Sequence, residues 1–166
     1  MWTLPEEEEF FLGQLNKTHR VLEYGSGQST KQIAERCKSV FSIEHDPKWF
    51  NYNVQQNLGH NVVLMHVPPD KPWESRDGSL EEFNSYIHAP IPFGRYDVIF
   101  VDGRARVDCC RILDQLAYPD SLIFFHDFGP KHQAEDGSGY RTHYDEVLEW
   151  LEVVDSVETM YLFKQK

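Results

Sequence analysis

Val21-Leu22-Glu23-Tyr24-Gly25-Ser26-Gly27, running on into Gln28-Ser29-Thr30-Lys31-Gln32-Ile33, is the stretch whose reading decides the fold. An apolar strand that breaks into a glycine turn and then into the capped start of a helix is how an α/β sheet presents a cofactor at the carboxyl ends of its strands. A second short apolar strand, Val40-Phe41-Ser42-Ile43, ends on Glu44, 21 residues after Glu23, where a ribose diol needs a paired acceptor. The expected cofactor cradle is therefore Glu23, Tyr24, Gly25, Ser26 and Gly27, with Ser29 and Thr30 at the helix start and Glu44 and His45 beyond the second strand.

Position 30 narrows the cofactor. A dinucleotide site needs a third glycine there, where the helix packs on the strand, and this chain has Thr30. S-adenosylmethionine carries no phosphate and calls for one acid at its amino group and another at its ribose hydroxyls; Glu23 and Glu44 match that demand.

On these residues the chain resembles the class I S-adenosylmethionine-dependent methyltransferases over nearly its whole length. Val21 to Gly27 resembles their first motif, Ser42-Ile43-Glu44-His45-Asp46 their second, and Tyr96-Asp97-Val98-Ile99-Phe100-Val101-Asp102-Gly103 their fourth, with Leu122-Ile123-Phe124-Phe125-His126-Asp127 as the fifth strand. The resemblance implies a single Rossmann-like α/β domain over residues 1–166, with a mostly parallel seven-stranded sheet, an antiparallel C-terminal hairpin and helices on both faces.

Composition agrees with one folded domain: 166 residues, 40% hydrophobic and 14% aromatic, enough for a core without staples. Sixteen basic against 27 acidic residues, a formal charge of −11, argue against nucleic acid as substrate. No apolar run approaches the roughly 20 residues of a membrane span, and the opening Met1-Trp2-Thr3-Leu4-Pro5-Glu6 is acidic where a signal peptide is basic; a soluble cytoplasmic protein is expected. Cys37, Cys109 and Cys110 form no C-x-x-C pair and read as small buried hydrophobes.

Along the chain, Thr3 and Glu6 form a capping box for a first helix whose glutamates read as a solvated start, with Phe11, Leu12 and Leu15 packing on the sheet. Helices follow from Ser29 to about Cys37 and from Pro47 to about Asn57, the latter capped by Asp46; the third strand is Asn61–Val67. From Pro68 to Arg95, five prolines and two glycines mark a functional flap with one short helix at Ser79–Tyr86. Trp73, Phe83, Tyr86 and Phe93 in it are suited to stacking on a sugar, sealing adenine or filling the core. The fourth strand is Asp97–Val101, a helix runs from about Val107 to Leu116, and the fifth strand is Ser121–Phe125. An irregular, mobile segment is expected from Phe128 to Thr142, then a helix near His143–Leu151 and strands Val153–Val157 and Thr159–Phe163.

Chemistry is expected beyond the fourth and fifth strands, where Asp102, Gly103, His126 and Asp127 fall. Methyl transfer needs an aligned nucleophile and removal of its proton; an alcohol needs a base or a metal for that, so the acids here point to oxygen. Asp127 or His126 is the expected general base. The metal-dependent branch, similar to catechol and sugar O-methyltransferases, implies Asp102, His126 and Asp127 as ligands of a divalent ion. His126 in place of an acid favours manganese, cobalt or zinc over magnesium. Arg104 and Arg106 at the same mouth are suited to holding a carboxylate or sugar hydroxyls, or to neutralising Asp102 and Asp108. Lys131, His132, Tyr140, Arg141 and His143 read as a polar substrate lid.

The resemblance thus implies an O-methyltransferase acting on a hydroxyl of a small molecule, a sugar or glycan first, with S-adenosylmethionine as cofactor. The pocket is expected to be open, completed by a second subunit in a homodimer, or served by an associated glycosyltransferase on the same pathway. The alternatives are a phenolic or protein acceptor, and a non-catalytic binding module on the same fold.

Overall fold

A computed structural model describes residues 4–74, 77–129 and 142–166. The elements are α1 (Pro5–Leu12), β1 (Arg20–Tyr24), α2 (Ser29–Arg36), β2 (Ser39–Glu44), α3 (Pro47–Gln55), β3 (Val62–His66), α4 (Leu80–His88), β4 (Tyr96–Val101), α5 (Arg106–Arg111), α6 (Leu113–Leu116), β5 (Ala117–Phe125), β6 (Leu151–Val157) and β7 (Met160–Gln165). The strands form one sheet in the order β3-β2-β1-β4-β5-β7-β6. Six of them run in one direction, and β7 alone is reversed, pairing antiparallel with both β5 and β6. This is the expected single-domain Rossmann-like sheet with its C-terminal hairpin.

Alternation along the strands divides the core between the two faces. Leu22, Tyr24, Phe41, Ile43, Ile99, Val101 and Ile123 pack on one face with Phe83, Tyr86 and Ile87 of α4 and with Cys109, Cys110, Leu113 and Leu116 of α5 and α6. Val21, Val40, Val98, Phe100 and Phe124 pack on the other with Phe11 and Leu12 of α1 and Ile33 and Ala34 of α2. The three cysteines are buried and unbridged, as expected. Phe83 and Tyr86, two of the four flap aromatics, are wholly buried core residues, and Phe93 packs on Phe41.

Several boundaries differ from the sequence reading. Helix α1 starts at Pro5 with Leu4 as its cap residue, and the carboxylate that accepts the Leu4 N–H is Glu7, not Glu6. The helix expected at Val107–Leu116 breaks at Ile112 (φ −105°, ψ 14°), where the Trp150 indole donates to the Cys110 carbonyl (3.1 Å) that a continuous helix would use. The helix expected near His143–Leu151 is 3₁₀ over Thr142–Glu149, and Leu151, buried, already opens β6. Strand β5 begins earlier, at Ala117, because Ser121 donates to the Tyr96 carbonyl (2.7 Å) and lets the chain bulge and rejoin the ladder.

The strand order reverses between β1 and β4, and there the chain permits a crevice. Gly25 (φ 93°) and Gly103 stand back to back at the two strand ends: a Cβ on Gly25 would lie 2.6 Å from the Gly103 Cα. The turn thus needs glycine for conformation and for clearance. Gly25→Ala is expected to cost about 2–4 kcal/mol of stability, whereas Gly59→Ala, equally left-handed but facing only the Asn61 side chain, is expected to cost about 1–2 kcal/mol. Urea unfolding of both variants measures the difference, and equal losses would contradict the close approach.

Candidate functional site

A cavity of about 300 Å³ opens over this crevice. Of the residues expected in a site, Gly25, Ser26, Gly27, Glu44, His45, Asp102, Gly103, Arg104, His126 and Asp127 line it, joined by Asp46, Trp49, Trp73 and Arg106. The flap therefore contributes one wall through Trp73, over whose ring the Arg104 guanidinium sits at 4.7 Å. Of the expected lid, Lys131, His132, Tyr140 and Arg141 lie outside the described residues; His143 pairs with Asp77 (2.8 Å), away from the cavity.

Glu44 ends β2 almost fully buried and tightly held. One carboxylate oxygen accepts the N–H groups of His45 (2.8 Å) and Asp46 (2.7 Å), and the other lies 3.3 Å from the Ser26 hydroxyl. Asn53, wholly buried on α3, donates to that same hydroxyl (3.4 Å) and to Trp49 O. The acid at the cavity floor is thereby oriented before any ligand arrives. Asp46 caps α3 through the Lys48 N–H (2.7 Å), as expected.

Glu23, Tyr24, Ser29 and Thr30, expected in the cofactor cradle, do not line the cavity. Glu23 lies on the α2 side of the sheet, wholly buried, and accepts the hydroxyls of Ser29 (2.7 Å), Thr30 (2.8 Å) and Ser42 (2.5 Å). Thr30 in turn accepts the Gly27 N–H (3.1 Å), so Glu23 ties the glycine turn to α2 instead of meeting a ligand. Tyr24 points into the opposite core and donates to the Ile87 carbonyl (2.6 Å).

A cluster of charges forms the far wall. His126, 4% exposed, places Nδ1 2.8 Å from Asp102 and Nε2 3.5 Å from Glu7. Arg106, 5% exposed, bridges Asp127 (3.0 Å) and Asp102 (3.5 Å). Asp127 holds a left-handed backbone (φ 60°) directly after β5, the kind of conformation that non-glycine residues adopt mainly under constraint. Arg106 therefore neutralises Asp102 and Asp127; Asp108 is paired with Arg111 (3.4 Å) instead.

Glu7 is the member that sequence reading missed. It is buried on α1, accepting Thr159 N–H (2.8 Å) and Thr159 hydroxyl (2.6 Å) with one oxygen and Leu4 N–H (2.9 Å) with the other. Burial works against its charge, but His126, Thr159 and Leu4 outweigh that and lower its pKa to about 2. The available signal was its place one helical turn before Phe11, on the apolar face of α1.

Burial likewise disfavours the His126 imidazolium, yet Asp102, Glu7 and Asp127 together raise its pKa to about 10. A protonated imidazole has no lone pair to accept a proton, which takes His126 out of the general-base role at neutral pH. The donor atoms of Asp102, His126 and Asp127 lie within 4.8 Å of one another, a spacing a divalent ion would accept. Both carboxylates, however, already face the buried Arg106.

No protein-family model and no curated protein matches this chain. Solved structures do. A methyltransferase-like protein of Silicibacter pomeroyi DSS-3 is 24% identical with a TM-score of 0.74, over 100% of this chain and 88% of that one. The chain has the methyltransferase fold. SMU.1697c of Streptococcus mutans, solved in complex with SAH, superposes with a TM-score of 0.60 at 10% identity over the whole of both chains. The N-methyltransferase NodS of Bradyrhizobium japonicum WM9 does so at 0.58 and 13%, over 97% of each.

Glu23 also sets a pH dependence. Burial raises its pKa from 4.5 to about 7 against the pull of its three hydroxyl donors. The folded state holds this proton more tightly than the unfolded one, so the stabilisation is complete below 4.5 and is lost as pH rises through about 7. Relative to Glu23→Gln, the wild type is expected to lose on the order of 3 kcal/mol over that interval. Urea unfolding of both proteins across it measures the loss, and parallel pH profiles would refute it.

Proposed function

We propose that the protein is an S-adenosylmethionine-dependent methyltransferase acting on a hydroxyl of a small molecule, a sugar or glycan first. The observation that carries the reading is the cavity at the β1/β4 crevice with the Glu44 carboxylate fixed at its floor; the fold shared with an SAH-bound structure supports it. In this reading Gly25, Ser26 and Gly27 cradle the amino-acid end of the cofactor, Glu44 accepts its ribose hydroxyls, and His45, Trp49 and Trp73 enclose its base.

The acceptor enters from the wall of Asp102, Arg104, His126 and Asp127. Its oxygen attacks the methyl carbon in line with the departing sulfur, the C–S bond breaks to leave S-adenosylhomocysteine, and the acceptor's proton passes to the Asp127 carboxylate. Asp127 takes this role because it is the more exposed of the two acids, with its side chain 26% accessible against 13% for Asp102. Asp102 holds the His126 imidazolium, whose fixed positive charge favours an oxyanion forming beside it. Arg104, stacked on Trp73, extends a planar face suited to a sugar ring and its hydroxyls.

Two variants separate binding from chemistry. Asp127→Asn is expected to lower turnover of labelled methyl groups onto sugar acceptors by about 10²–10⁴-fold while S-adenosylhomocysteine affinity stays within a few fold. Glu44→Ala is expected to weaken that affinity at least about tenfold, roughly 1.4 kcal/mol. Calorimetry and a transfer assay read the two effects, and a Glu44→Ala protein that binds as tightly as the parent would overturn the cofactor assignment.

A further inference from the structure

The oxygen atoms at the ends of β4 and β5 converge on one cation that belongs to the chain. Arg106 Nε donates to the Gly103 carbonyl (3.0 Å). One terminal nitrogen donates to the His126 carbonyl (2.5 Å) and to Asp127 (3.0 Å), and the other donates to the Asp102 carbonyl (3.3 Å) and faces the Asp102 carboxylate at 3.5 Å. Three carbonyls and two carboxylates are the hard oxygen donors that a divalent ion selects, and here a planar guanidinium engages each of them through one oxygen. We propose that Arg106 is the resident cation of this site, where the donor atoms of Asp102, His126 and Asp127 come within 4.8 Å of one another, and that the site binds no metal.

Three features of the chain favour this assignment. Ala105 is left-handed (φ 49°) immediately before Arg106, and this turn carries the chain from the end of β4 into α5, whose first residue brings the guanidinium under the strand ends. The side chain is sealed in at 5% exposure beneath the Tyr144 ring, with its guanidinium carbon 5.9 Å from the centroid. The acids are also already engaged: Asp102 and Asp127 face Arg106, and Glu7 and Asp102 face the His126 ring. A divalent ion would bring a further double positive charge beside the guanidinium that already holds these carboxylates. Displacing Arg106 to admit the ion would strand a buried guanidinium without its oxygens. Arg106 is thus a positioning residue: it fixes Asp127, and through the carbonyls it fixes the two strand ends that carry Asp102 and His126.

This inference rests on the charge cluster and not on the methyl-transfer reading, so the two can fail separately. The first test titrates Mn²⁺ into the wild type and into Asp127→Asn, counting bound ion by electron paramagnetic resonance. The expected result is that the wild type holds no Mn²⁺ that Asp127→Asn loses; weak binding equal in both proteins lies elsewhere on this acidic chain and agrees with the proposal. One equivalent bound by the wild type and lost in Asp127→Asn would overturn it. The second test is chemical rescue. Arg106→Ala is expected to melt below the wild type, and methylguanidinium, which enters the vacated fork, to recover part of that shift while leaving the wild-type melting point unchanged. No recovery in a folded Arg106→Ala protein would count against the proposal, and should that variant not fold, the wild-type Mn²⁺ titration decides alone.

Discussion

The buried charge cluster of Glu7, Asp102, His126, Arg106 and Asp127 is the constraint on which the second half of this structure depends. Its members come from α1, the end of β4, the end of β5 and the first turn of α5. Removing any one leaves a charge of opposite sign in a poorly solvated place, which costs far more than an exposed ion pair contributes. The cluster therefore ties α1 and α5 to the ends of two neighbouring strands. Through Glu7 it also reaches the turn between β6 and β7, because the same carboxylate that faces His126 accepts the Thr159 N–H and hydroxyl. The antiparallel hairpin and the amino-terminal helix are thus parts of the site's support as well as cover for the sheet.

The first half of the cavity is built on different physics. Gly25 and Gly103 bring two backbones together where no side chain fits, Glu23 anchors the glycine turn to α2 through hydroxyls, and Ser26, Asn53 and two backbone amides orient Glu44. Hydrogen bonds from hydroxyls and backbone amides, with close packing, hold this wall, whereas ion pairs with Arg106 and His126 hold the other. That division matches the proposed chemistry. A ribose and an amino-acid moiety need fixed acceptors and a close backbone, while the acceptor's side needs a carboxylate to take a proton and a fixed cation to stabilise developing negative charge.

What the sequence revealed was what local rules govern. The strand, glycine turn and helix at Val21–Ile33, the Asp46 cap before Pro47, and the alternation of β1, β2 and β4 are set by residues close together in the chain, and the fold followed from them. Ten of the expected site residues line the cavity for the same reason: they sit at strand ends, and strand ends in this topology meet in one place. The misreadings came from contacts that no local pattern encodes. Glu23 and Glu44 look alike as acids ending short strands, yet one meets three hydroxyls in the core and the other the cavity. Arg104 and Arg106 are two residues apart, and only the left-handed turn at Ala105 sends one to the surface of Trp73 and the other beneath the strand ends. Glu7 acts on a histidine at the far end of β5, and the run of four glutamates concealed the one that shares a face with Phe11.

The most direct measurement is hydrogen–deuterium exchange of the protein with and without S-adenosylhomocysteine. The peptides spanning Gly25–Gly27, Glu44–Asp46 and Asp102–Arg104 are expected to gain protection together, with the hairpin strands β6 and β7 unchanged. Protection absent everywhere, or confined to a surface away from these three strand ends, would contradict the crevice between β1 and β4 as the cofactor site.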